Sequence, residues 1–150
     1  MRTLYRALFG FLLAAVVAGC SPTPIVVNDD VDSQRFMDTA IPAIYGHWDV
    51  KALAAVADKS VYTPERLSRA RERFAGWSVS YGPMVTYHSA KGITRILRTK
   101  DGETKAASYN AEVKFKKATV TVHVDAAKNN GKWLVEGMSV QPAGHNNPTH

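Results

Sequence analysis

The spacing of apolar positions divides the chain into a helical first half and a strand-forming second half. From Asp32 onward Phe36, Met37, Ala40, Ile41 and Ile44 fall on one helical face, with Asp32 or Ser33 available to cap it. Pro42 lies inside that run, and its missing amide and its ring, set against the Asp38 carbonyl, predict a kink or break. A second short helix is predicted after Asp49, a favourable N-cap, with Val50, Leu53, Ala54 and Ala57 inward. A third starts at Thr63, with Pro64 in the first helical position and Glu65 at the positive end of the helix dipole. Its apolar residues Leu67, Ala70, Phe74 and Trp77 lie within about 80° of arc. Gly76 and Gly82 loosen the chain after it.

Beyond Ser78 the period becomes two. Val79, Tyr81, Val85 and Tyr87 alternate with polar residues, and "GITRILRT" is a further strand, followed by a hairpin signal at Lys100-Asp101-Gly102-Glu103. Tyr109, Ala111, Val113 and Phe115 then alternate with Asn110, Glu112, Lys114 and Lys116, as do Ala118, Val120, Val122 and Val124 with Thr119, Thr121, His123 and Asp125. Asn129-Asn130-Gly131 turns the chain into "KWLVEGMSV". There Trp133 and Val135 share a face, which Met138 and Val140 rejoin only if a residue bulges near Gly137. Helices followed by half-buried antiparallel strands predict an α+β domain, the helices packed on one face of a curved sheet.

The two ends carry other patterns. Arg2 and Arg6 precede an apolar run from Ala7 to Val17, and the small residues Ala18 and Gly19 follow. That is the layout of a secretory signal peptide, too short for a spanning helix of about 18 to 20 residues. The single cysteine comes next. Val17-Ala18-Gly19-Cys20 resembles the lipobox of bacterial lipoproteins. The resemblance implies a diacylglyceryl group on the Cys20 sulfur, cleavage before it and acylation of the new amino terminus. With each buried methylene contributing about 0.8 kcal/mol, two or three acyl chains anchor a protein stably. Ser21 rather than Asp after the cysteine implies the outer membrane, facing the periplasm. The expected organisation is a cleaved leader at 1–19, a lipidated cysteine and flexible tether at 20–31, an α+β domain at 32–141 and a polar tail at 142–150.

Within that domain "HWDVKALAAVAD", "YNAEVKF", "ATVTVHV" and "GKWLVEGMSV" resemble the nuclear transport factor 2-like (cystatin-like) superfamily. The likeness lies in a tryptophan opening the last long strand and a glycine before its final apolar residues. It implies a cone of curved sheet and helices that can hold a pocket. The superfamily includes isomerases, dehydratases and binding modules, so the fold alone does not give the function.

The formal charge is +6, with Arg2 and Arg6 in the leader. An exported chain is not expected to meet nucleic acid. Anionic lipid, an acidic partner or plain solubility accounts for the excess. For proton transfer in an apolar pocket the candidates are Asp38, Tyr45 and His47, with Tyr87 and Tyr109 behind them. The alternative is an exposed helix aspartate and tyrosines with their hydroxyls at the rim. The five histidines form no ligand set and no HExxH or paired-cysteine spacing occurs, so no metal is expected, nor any cofactor. Arg66, Arg69 and Arg73 lie within about 60° of one another beside the apolar stripe of the third helix. They are candidates for an anion-binding rim; the alternative is snorkelling, with Glu65 and Arg69 as an ordinary helix pair. The resulting expectation is a non-enzymatic, membrane-anchored lipoprotein that presents its domain to an envelope protein or a small ligand. A pocket enzyme of the isomerase or lyase kind and a structural envelope component are the alternatives.

Overall fold

The two hydrophobic periods settle into three helices and six strands over residues 23–143, the part of the chain that the computed structural model describes. In order they are β1 (Ile25–Asn28), α1 (Val31–Tyr45), α2 (Val50–Val56), α3 (Pro64–Tyr81), β2 (Met84–Tyr87), β3 (Lys91–Thr99), β4 (Gly102–Phe115), β5 (Thr119–Asn129) and β6 (Lys132–Pro142). The leader, Cys20 and residues 144–150 of the tail lie outside the described residues.

All strand pairings are antiparallel, in the order β1-β3-β4-β5-β6. β3 pairs with the first part of β4, up to Lys91 opposite Asn110. β2 takes over the same edge further on, with Tyr87 opposite Val113 and Met84 opposite Phe115. One face of the sheet carries Ala107, Tyr109, Ala111, Val113, Phe115, Val120, Val122 and Val124, all buried, while Asn110, Glu112 and Lys114 on the other face are exposed. The helices cover the buried face through Met37, Ala40, Ile41, Ile44, Leu53 and Phe74.

Local chemistry explains most of the boundaries. Asp49 caps α2 by accepting the Lys51 amide at 2.7 Å, and Thr63 caps α3 by accepting the Arg66 amide. At α1 the cap is Asp30, which accepts the Ser33 amide at 3.1 Å, rather than Asp32 or Ser33. Pro42 does not break α1. It falls in the last turn, where little of the helix remains to be disturbed, and its own carbonyl still accepts the Gly46 amide at 2.9 Å. α3 runs through Gly76 to Tyr81 and stops at Gly82, whose φ of 76° belongs to glycine. Val79 and Tyr81 are therefore helical rather than the first residues of a strand.

The tether also differs from expectation. Ile25–Asn28, within the segment expected to be flexible, is a strand laid along β3 from Ile25–Ile96 to Asn28–Ile93. At the far side of the sheet β6 bulges. Val135 pairs with Ala126 and Gly137 with Asp125, leaving Glu136 as the extra residue. That insertion returns Met138 and Val140 to the helix side, opposite Val124 and Val122.

The core is unusually aromatic at the end where α2 and α3 meet. Trp48 stacks on Phe115 with centroids 4.7 Å apart, meets Phe74 at 6.0 Å and Trp77 at 5.6 Å, and donates its indole N–H to the Gly82 carbonyl at 2.8 Å. Nearer β3 the core contains a buried hydroxyl cluster. Ser33 Oγ lies 2.7 Å from Thr94 Oγ1 and 2.9 Å from Tyr109 Oη, so these polar groups satisfy one another out of water.

Candidate functional site

α3 packs over β6 incompletely, and a cleft of about 190 Å³ opens between them. From the helix side it is walled by Arg66, Ala70, Arg73, Phe74 and Trp77, with Tyr62 from the preceding turn. Opposite lie the bulge residues Glu136 and Gly137 and then Met138. The helix residues share one stripe because positions 66, 70, 73, 74 and 77 are spaced by threes and fours. The bulge shapes the other wall by inserting Glu136 into β6. A Cβ at Gly137 would meet the Asp125 side chain of β5 at 3.1 Å rather than α3.

Arg66 donates from Nη1 to the Val61 carbonyl at 3.0 Å, which fixes one prong of its fork. Among the described residues neither Arg66 nor Arg73 has a carboxylate within 4.0 Å. Burial pushes the Tyr62 hydroxyl above its ordinary value, while the nearby Arg66 and Arg73 charges pull it back. Two unpaired guanidinium groups, an aromatic wall and one facing carboxylate leave the cleft net positive. Its size is below the roughly 300–1,000 Å³ of drug-sized sites, so it suits a small molecule or the anionic end of a larger one.

The three arginines expected at the rim are not all brought together. Arg69 is not part of the cleft wall. It lies about 60° beyond Arg66, on the side away from Phe74. Its charge instead helps hold the Glu65 carboxyl low, behind the larger contribution of the Thr63 hydrogen bond. Arg71 contributes to a separate shallow hollow with His47 and Trp48.

The proton-transfer candidates do not share a site. Asp38 accepts from Gln34 Nε2 at 2.9 Å, from the Ala90 amide at 3.1 Å and from the Tyr87 hydroxyl. Burial opposes its ionisation, but these hydrogen bonds outweigh it, and the carboxyl lies below its ordinary value. It is a latch between α1 and the β2–β3 connection. Tyr45 is fully buried beside Trp48 and Phe74, and its hydroxyl has no hydrogen-bond partner among the described residues. Burial drives its pKa far up, so it stays protonated. Its hydroxyl is therefore inside the core, not at a rim. His47 is exposed. Tyr109 is committed to the Ser33 cluster.

Sequence reasoning missed a further polar group on the open face of the sheet. His123 bridges Asn110 Oδ1 at 2.8 Å and both Asp125 oxygens at 3.1 Å. The hydrogen bond to Asp125 raises the His123 pKa and in turn lowers that of Asp125. The alternation placed His123 and Asp125 on one face, and only the register with Asn110 was hidden. Among the described residues no group of three or more His, Cys, Asp or Glu is placed to hold a metal ion.

Comparison with protein-family models, with curated proteins and with solved structures returned no match.

Proposed function

We propose that this chain is a lipid-anchored protein of the bacterial envelope whose α+β domain, of nuclear transport factor 2-like type, binds rather than catalyses. Its ligand site is the α3–β6 cleft. The ligand class is a small carboxylate or similar anion with an apolar body, free or displayed by a partner protein. The observation that carries this reading is the pair Arg66 and Arg73, without a carboxylate partner among the described residues, beside Phe74 and Trp77. Guanidinium forks match carboxylates bidentately, and the rings supply apolar contact. Support for the anchor is the Val17-Ala18-Gly19-Cys20 sequence behind its apolar run. Among the described residues no helix is long and apolar enough to cross a membrane. The layout that favours the superfamily is the run of helices before a meander, with Trp133 opening the last long strand and the bulge ahead of Gly137. The isomerase or lyase alternative draws less support, because Asp38, Tyr45 and His47 have separate surroundings.

The test of the site is titration with benzoate and octanoate, followed by tryptophan fluorescence, since Trp77 walls the cleft. Saturable binding that weakens with salt is expected. In the variant with Arg66→Gln and Arg73→Gln, affinity should fall about tenfold or more, as for loss of a charge-assisted pair. Equal binding by parent and variant would remove the anion site. The anchor is tested separately: Cys20→Ser should accumulate as unprocessed precursor without lipid.

A further inference from the structure

The position of β1 determines more than the sheet edge. Because β1 runs antiparallel to β3, the chain before Ile25 heads past Ile96 toward Leu97 and Arg98, the end of β3 that turns into β4. The β5–β6 turn lies at this same end, since Lys105 of β4 is opposite Lys128 of β5. Cys20 precedes Ile25 by five residues, a reach of about 17 Å when fully extended. β4 alone has 14 residues, about 45 Å at strand rise. A group attached at Cys20 therefore stays near the two turns and cannot bring the opposite end to the same surface without laying the domain flat.

The surface around the two turns is suited to lipid. Lys100 and Lys132 are exposed, one beside each turn, and among the described residues neither has a carboxylate within 4.0 Å. Arg98 keeps 67% of its side chain exposed while pairing with Glu103. Lys105 and Lys128 lie behind them, paired with Glu103 and Asp32 respectively. On β1 itself, Ile25 is 47% and Val26 54% exposed, apolar side chains placed where the chain enters the fold. Lysines also mark the far end, at Lys116 and Lys117, so charge alone does not choose between the ends. Exposed apolar side chains do not choose either, because Val79 and Val85 stand at that far end. The point of chain entry does.

We propose that the end of the sheet bearing the β3–β4 and β5–β6 turns is a docking surface for an anionic lipid bilayer, with Lys100, Lys132 and Arg98 on the headgroups and Ile25 and Val26 at their edge. The inference rests on the lipid-anchor reading. A basic rim beside apolar side chains is the chemistry of interfacial binding, and each lysine or arginine at an anionic surface adds to it. The domain then stands on the membrane with its β4–β5 turn outermost.

The experiment uses the full processed chain, its lipid read from intact mass, reconstituted into vesicles of phosphatidylglycerol with phosphatidylethanolamine or of phosphatidylcholine alone. A water-soluble amine acylating reagent is applied and each lysine is followed by peptide mass. Lys100 and Lys132 should react about tenfold more slowly on the anionic vesicles than on the zwitterionic ones. Lys116 and Lys117 should react alike on both. Equal rates at Lys100 and Lys132 on the two membranes, or slowing at Lys116 and Lys117 instead, would overturn the docking surface while leaving the anchor intact. A mature chain of unlipidated mass would remove the anchor reading, and the inference with it.

Discussion

Asp38 shows how one carboxylate can hold two elements together. Gln34 lies one turn earlier on α1, whereas Tyr87 and Ala90 come from the far side of the helical region, and all three donate to it. Asp38→Asn keeps the shape but exchanges the charge and one acceptor for a donor, which should cost about 1.5 to 3 kcal/mol. The sign of its pH dependence follows from its depressed pKa in the folded protein. The carboxylate's contribution is present above the ordinary value of 3.8 and is lost as pH falls through the lower folded value. Urea unfolding of parent and variant at neutral and acid pH should therefore give a gap that narrows below about pH 4. A gap independent of pH would assign the loss to shape rather than charge.

At the scale of elements, glycine at 92 is the tightest constraint in the sheet. A Cβ there would stand 2.1 Å from the Ser108 carbonyl oxygen and 2.7 Å from Tyr109 Cα, both backbone atoms of the paired strand. Since neither can move without opening the β3–β4 ladder, Gly92→Ala should destabilise by about 3 kcal/mol or more, measured by thermal or urea unfolding. Gly76→Ala is the control, because a Cβ there meets nothing within 4 Å and a helical alanine is favoured by about 1 kcal/mol. The same elements explain what the sequence reveals. β4, β5 and the bulge of β6 are legible because one face of each strand is buried against helices, so apolar and polar residues alternate cleanly. The end of α3 is not, because Trp77 and Tyr81 satisfy a helical spacing of four while Val79 and Tyr81 also satisfy a strand spacing of two. β1 has no periodic signature, since three of its four residues are exposed. The cleft is half legible: helical spacing places Arg66 and Arg73 beside Phe74, but the strand facing them depends on tertiary packing.

For the molecule as a whole, two aromatic residues carry the union of helices and sheet. Phe74 brings α3 into the cluster around Trp48, and Trp133 stacks on Phe36 of α1 at 6.3 Å while donating its indole N–H to Asp32 at 3.0 Å. Phe74→Ala and Trp133→Ala should each cost about 3 to 5 kcal/mol in calorimetric or denaturant unfolding. That is a large share of the 5 to 15 kcal/mol typical of a domain, roughly. Losses below about 1 kcal/mol at both would mean the core is divided elsewhere. Phe74 also walls the α3–β6 cleft, so the unfolding is measured without ligand, where these losses report the fold alone.

The four paired residues of β1 also have a mechanical meaning. If the chain is held at Cys20 while a partner or flowing solvent drags on the domain, the load enters along the axis of β1 and leaves through β3. The hydrogen bonds of that ladder lie across the pull and are strained side by side in shear, whereas a strand peeled from its end gives way one bond at a time. A short strand that adds little to the core would thus act as a grip, setting the force at which the chain before α1 lengthens while the helices stay undisturbed.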